Sequence, residues 1–179
     1  GKTVTTGIEN TLIGSLSGDS LTTGNYNVAV GSRALQAEDE HGRNVAIGYN
    51  SLATQNAGAD AYNVGVGFKA GEAVTTGTFN TIIGATAGDS LTTGTSNTVL
   101  GGEALGAEDT TSFNVAIGNQ ALKVQDGGAN NTAVGRQAGL AVSTGSNNTI
   151  LGRNAGDALT TGDNNIIIGY TAAASAVDV

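Results

Sequence analysis

One stretch concentrates the titratable chemistry of this 179-residue chain: Glu38-Asp39-Glu40-His41. Three carboxylates beside an imidazole are a ligand set for a divalent cation, or an acid–base pair. These four are the candidate metal residues. The same run also suits a solvated turn that discourages sideways aggregation. The corresponding segment 70 residues on, Glu108-Asp109-Thr110-Thr111, has no histidine. His41 is the sole histidine and cysteine is absent, which excludes histidine-cluster and thiolate metal sites and cysteine nucleophiles. Asp19, Asp89 and Asp157 recur beside Ser20, Ser90 and Ala158 with no base near them in sequence, as turn residues do. No Ser-His-Asp set, P-loop or metal motif is present. Gly65-Val66-Gly67 sits inside a strand-like motif, where a dinucleotide loop has no place. The expectation is a chain that is not an enzyme and carries no cofactor.

The elements that would position these residues must be built from unusual material. Glycine supplies 29 residues, proline, methionine and tryptophan none, and aromatics only 4%. A thick core of large side chains is hard to make from this. The net charge of -8 argues against nucleic acid and anionic membranes as partners. No apolar run approaches the ~18 residues of a membrane span.

Periodicity decides between disorder and a repeat fold. A five-residue motif, Asn, three mostly apolar or Thr residues, then Gly, occurs ten times. It begins at Asn10, Asn27, Asn44, Asn63, Asn80, Asn97, Asn114, Asn131, Asn148 and Asn165. Eight of the nine intervals are 17 residues and one, from Asn44 to Asn63, is 19. Ala or Ser follows three residues after each motif Gly. The next position reads Gly18, Leu35, Leu52, Gly71, Gly88, Leu105, Leu122, Gly139, Gly156, a rhythm of four coils. The unit that duplicated was therefore four coils long. We expect residues 1–179 to form one repeat domain, a piece of a longer fibre.

Seventeen residues are too few for a helical repeat, and motif cores such as Asn44-Val45-Ala46-Ile47-Gly48 are β-branched. The spacing predicts an all-β fold, a parallel β-roll or β-solenoid of about ten coils. Each coil would hold two short strands and two turns, the second strand running over positions such as Ala87 to Thr92. The second and fourth motif positions are expected to point inward. The middle position would then point outward, and it is apolar or tiny throughout. A strand apolar on both faces needs cover on both. This predicts self-association through Leu12, Ile82, Val99, Ile150 and Ile167. The recurring Asn reads as a stacked amide ladder. The bases near the motif Gly, Arg33, Lys69, Arg136 and Arg153, are expected to pair with acids of neighbouring coils or chains. The rings flanking the motif, Tyr26, Tyr62, Phe79 and Phe113 before it and Tyr49, Phe68 and Tyr170 after it, could bind sugars or cover edges between subunits.

The Asn-Val-Ala-Ile-Gly motif with its trailing Ala or Ser resembles the head repeats of YadA-type trimeric autotransporter adhesins. The longer coil is similar to phage tail-fibre-type proteins, as in Thr144-Gly145-Ser146-Asn147-Asn148-Thr149-Ile150-Leu151-Gly152. The resemblance covers essentially the whole chain and implies a left-handed roll assembled as a homotrimer. It also implies an extracellular setting, on a virion appendage or bacterial surface. The function implied is structural or adhesive, with a host surface glycan or protein receptor and no membrane insertion. The two-residue insertion bulges near Ala59 to Ala61, and Ala59, Asp60 and Ala61 are expected to meet a partner. An alternative of another class is an ice-binding solenoid using Thr75-Thr76, Thr92-Thr93 and Thr160-Thr161. Glu38-Asp39-Glu40, Glu108-Asp109 and Asp126-Gly127 interrupt that row.

Overall fold

The three residues between motif Asn and motif Gly are the strands. The computed structural model describes residues 3–107 and 110–173. Lys2, Glu108 and Asp109 lie outside the described residues. The strands are β1 (Thr11–Ile13), β2 (Val28–Val30), β3 (Val45–Ile47), β4 (Val64–Val66), β5 (Thr81–Ile83), β6 (Thr98–Leu100), β7 (Val115–Ile117), β8 (Thr132–Val134), β9 (Thr149–Leu151) and β10 (Ile166–Ile168). They form one parallel sheet in chain order, a β-solenoid that adds one strand per coil. Register is held position by position. Gly65 sits opposite Ala46 on one side and Ile82 on the other, so the 19-residue interval does not shift the ladder.

Among the described residues the expected second strand of each coil is absent. Its place is taken by turns, for example at 85–90. In the first nine coils the fourth residue after the motif Gly is left-handed whether or not it is glycine. Gly18 has φ 52, Leu35 φ 50 and Leu52 φ 47. Extended strand requires negative φ, so the chain cannot run straight there. The residue before each motif Asn and the second after each motif Gly are also left-handed, as at Tyr62, Phe79, Lys69 and Glu103. Such residues cost about 1–2 kcal/mol each. Hydrogen bonds to the neighbouring coil offset that cost. Lys69 N–H donates to Tyr49 O at 2.8 Å, Phe79 N–H to Ala61 O at 2.8 Å and Leu35 N–H to Ser51 O at 3.0 Å.

The facing of the strand is the reverse of the expected one. Ile82, Val99, Ile150 and Ile167 are buried within the single chain, with Leu12 packed against the same core. They are therefore core residues and cannot line a contact between chains. The flanking positions point outward instead. The reason is strict alternation. The motif Asn is itself buried at most levels, so the next residue must face out and the middle one in.

The core is thin and filled by complementary sizes. Where the fourth residue after the motif Gly is glycine, a large neighbour fills the gap. A Cβ on Gly18 would lie 2.8 Å from Cδ2 of Leu12. One on Gly71 would lie 2.9 Å from Cδ2 of Leu52 and 3.0 Å from Cδ1 of Ile82. Where that residue is Leu35 or Leu52, the middle strand residue of the same coil is Ala29 or Ala46.

The Asn ladder joins coil to coil. Asn80 Oδ1 accepts the backbone N–H of Asn97 at 2.9 Å, and its Nδ2 donates to Gly94 O at 2.9 Å. The first of these bonds recurs from Asn10 to Asn165, for instance Asn27 N–H to Asn10 Oδ1 at 2.9 Å and Asn165 N–H to Asn148 Oδ1 at 2.9 Å. The motif Gly closes the strand where consecutive coils touch. Gly84 has φ +138, and a Cβ there would lie 2.6 Å from the carbonyl oxygen of Gly101.

Candidate functional site

The acidic corner forms where the first 17-residue coils meet the insertion. Glu38, Asp39 and His41 each bring one ligand atom to within 4.8 Å of the others, while Glu40 is not part of that set. Glu38 is fully buried. Its Oε1 accepts the His41 N–H at 3.1 Å and its Oε2 accepts from Asn44 Nδ2 at 3.4 Å. Burial raises its carboxyl above the ordinary range, only partly offset by the bond from the His41 backbone. Asp39 Oδ1 accepts the Glu40 N–H at 2.6 Å. His41 Nδ1 is buried without a partner.

The equivalent position in other coils explains Glu38. Counting from the motif Gly, it is the place of Gln55 and Gln125. Those amides accept from the ladder Asn of the next coil, Gln55 Oε1 from Asn63 Nδ2 at 2.7 Å and Gln125 Oε1 from Asn131 Nδ2 at 3.0 Å. Glu38 does the same for Asn44. Asn44 needs it more, because the turn after it carries the two extra residues. Asn63 and Asn80 reach glycine carbonyls 14 residues on; for Asn44 the bond is to Glu38. The corner thus acts as a hydrogen-bonded support of the ladder. Its three ligand atoms are the only such group of His, Cys, Asp or Glu among the described residues.

The insertion splits into two parts. Ala59 is exposed, and Gly58 has open space around it. Asp60 bends back to pair with Arg43 at 2.9 Å and to accept the Gly42 N–H at 3.1 Å. Ala61 is fully buried and donates its N–H to Gly42 O. Ala61 is therefore not a surface contact, whereas Ala59 is exposed and the Asp60 side chain remains 40% exposed beside Arg43.

A shallow depression of about 440 Å³ opens where Gly106 and Ala107 leave room between Asp89 and Lys123. Lys123 bonds Glu103 and holds its carboxyl below the ordinary range. Burial raises the carboxyl of Asp89. Thr86 and Ser90 complete the wall.

The largest unpartnered feature is the outer face of the sheet. One column along it is aliphatic at every level, from Ile13, Val30 and Ile47 through Leu100 to Leu151 and Ile168. Ile13 is 60% exposed, Leu100 45%, Leu151 46% and Ile168 63%. The other column is a mixture of Thr and Val, ending in Ile166. Rings frame the sheet in its first half. Tyr62 stacks on Phe79 with centroids 5.2 Å apart, and Arg43 lies over the rings of Tyr26 and Tyr62. On the opposite edge Tyr49 stacks on Phe68 at 5.5 Å. Residue-pattern reasoning missed this surface because it assigned the aliphatic flanks to the core. The burial of the Asn ladder was the signal that would have reversed the assignment.

The bases divide in two. Lys69 pairs at 3.0 Å with Glu72 of its own coil, three residues on, and not with an acid of a neighbouring coil. Arg136 and Arg153 make no ion pair among the described residues, though Arg153 lies over the ring of Tyr170. In two Thr pairs the first threonine is turned to the stack: Thr75 Oγ1 donates to Thr92 O at 3.3 Å and Thr22 Oγ1 to Asp39 O at 3.0 Å.

Comparison with known proteins returns no family model, no curated protein and no solved structure that matches this chain.

Proposed function

We propose that this chain is a structural segment of an extracellular homotrimeric fibre that supports attachment to a surface, and that it is not an enzyme. One observation carries the reading: an aliphatic column, exposed at five levels and half-buried at the other five, runs the length of a ten-stranded sheet. Singly exposed aliphatics are ordinary, but a contiguous patch beyond a few hundred Å² marks an interaction surface. Ten strands at ~4.8 Å make a face ~45 Å long, and about six residue steps across it give a width near ~20 Å. A footprint of roughly 900 Å² matches the ~800 Å² per partner of a stable interface. A partner with the same column is a second copy of the chain.

Three copies suit this face by geometry. A triangle of sheets ~20 Å on a side places each sheet ~6 Å from the axis, close to half the ~10 Å spacing of packed sheets. The adhesive role rests on the resemblance of the motif to fibre repeats, and a glycan or protein receptor is its natural ligand. The experiment is sedimentation of the intact chain beside Leu100→Asp/Leu151→Asp. The trimer reading expects a wild-type trimer and a folded monomeric variant. A wild-type monomer at micromolar concentration overturns it. A monomer showing thermal hysteresis would favour the ice-binding reading instead.

A further inference from the structure

We infer that the depression over Gly106 is a binding site for one unit of an amino sugar, which sets its protonated amine on Asp89 and its hydroxyls on the polar groups around it. The wall comes from one chain, so the inference goes beyond the homotrimer reading and does not depend on it. Gly106 is what opens the space. It stands 70 residues after Gln36, as Asp89 and Ser90 stand after Asp19 and Ser20. Its backbone does not need glycine. Its φ lies outside the left-handed region, and a Cβ would come no closer than 3.4 Å to any atom beyond its chain neighbours. That Cβ would lie 3.8 Å from Asp89 Oδ1, so the carboxylate borders the place where the side chain is missing. Ser20 N–H donates to Gln36 O at 3.1 Å, but no such bond joins Ser90 to Gly106. A backbone donor and a backbone acceptor are left there.

Charge selects the ligand. Lys69 is taken by Glu72 and Lys123 by Glu103, while Asp89 makes no ion pair among the described residues. Burial raises its carboxyl, and the Glu72 and Glu103 carboxylates add to the shift. A bound cation would relieve that. A Ca²⁺ ion would want six or more oxygens and several free carboxylates; one free carboxylate suits an ammonium group. The rest of the wall suits a ring bearing hydroxyls. Ser90 and Thr86 bring hydroxyls, and Thr86 Oγ1, which donates to Ala85 O at 2.8 Å, can still accept. Ala107 and Val124, both exposed, give an apolar patch for the C–H face of the ring. The volume of about 440 Å³ lies within the range of small-molecule sites. A lysine side chain would use the carboxylate and leave the other polar groups unmatched.

The test follows amide chemical shifts of the full chain near neutral pH with three probes: glucosamine, N-acetylglucosamine, whose nitrogen carries no charge, and Nα-acetyl-lysine amide. The inference expects saturable shifts at Ser90, Gly106 and Val124 with glucosamine. The other two probes should bind at least about tenfold more weakly, the loss of a charge-assisted hydrogen bond or of the hydroxyl contacts. Asp89→Asn and Gly106→Gln should each abolish the shifts at unchanged melting temperature and unchanged sedimentation. Should Gly106→Gln disturb the fold, Asp89→Asn keeps the shape of the site and decides alone. No saturable shift with glucosamine overturns the site. Equal binding of N-acetylglucosamine overturns the role of Asp89, and tighter binding of the lysine amide overturns the sugar class. Glucosamine binding that survives both variants places the ligand elsewhere and overturns the inference. Sedimentation reads the homotrimer reading separately, since a monomer with these shifts would sink that reading and leave the site standing.

Discussion

At the scale of single residues, Glu38 is the fully buried carboxylate among the described residues. It occupies a core position that Gln55 and Gln125 fill with a neutral amide. Its folded form holds a proton more tightly than the unfolded chain does, because burial disfavours the charge. The sign follows from linkage. A raised folded value contributes stability that is fully present below the ordinary carboxylate range. That stability is lost as pH rises through the folded value. Glu38→Gln should therefore raise the melting temperature at pH 7, by about 2–4 °C. The gain should shrink as pH falls below ~4, where Glu38 is neutral in both states. Melting curves from pH 3 to 8 check this, and a gain that is constant across the range would contradict it. If the Glu38, Asp39 and His41 group instead held a divalent cation, adding Ca²⁺ or Zn²⁺ would raise the wild-type melting temperature and leave Glu38→Gln unmoved. A second residue-scale test concerns the motif Gly. Gly84→Ala forces a Cβ against the Gly101 carbonyl at a φ that alanine rarely adopts. A loss of at least about 2–3 kcal/mol in denaturant unfolding is expected.

The element is the strand with its two faces, and here adjacent residues should behave oppositely. Ile82 points into the core and is fully buried, whereas Ile83 beside it faces out. Ile82→Ala should cost about 2–5 kcal/mol of fold stability. Ile83→Asp should leave the circular dichroism of the coil unchanged and weaken assembly. Equal effects on fold from both would mean that the strand alternates less strictly than described. This element also marks how far the sequence could be read. The Asn-x-x-x-Gly spacing placed all ten strands and their parallel order, because each strand is the three residues the motif encloses. It did not place the faces, since both columns of β10, Ile166-Ile167-Ile168, are equally apolar. Nor did it show that Ala87 to Ser90 turns. The left-handed positions are filled by Leu35, Leu52, Tyr62 and Phe79 as readily as by glycine. Residue type carries that information for an isolated turn, but in a solenoid the neighbouring coil imposes the angle. The acidic corner was legible as a cluster and illegible in purpose, because its purpose depends on which ladder amide the insertion leaves short.

Across the whole molecule, stability is a sum over coils and the contacts between adjacent coils. The four-coil rhythm therefore becomes a constraint on which coils can be neighbours. The space beside Gly71 is filled by Leu52 from the coil before and Ile82 from the coil after. The space beside Gly139 is filled in the same way by Leu122 and Ile150, with the added Cβ at 2.8 and 3.0 Å from them. Residues 80–147 are one whole rhythm of four coils. Excising them brings Ile150 to the place that Ile82 held, and every size match across the joint is kept. Excising only 80–113 removes two coils and brings Ala116 to that place, since Ala116 is the middle residue of the next strand. The side chain that filled the gap beside Gly71 is then missing. The resulting void should cost about 2–5 kcal/mol, as an Ile→Ala change in a core does. The longer of the two variants should therefore be the less stable at the joint. Hydrogen exchange of the amides around Gly71 reads this locally. We expect protection near the wild-type level after the four-coil excision and a clear loss after the two-coil excision. Equal protection in both would show that the coils are interchangeable and that the Gly–Leu rhythm is a relic of duplication rather than a packing code.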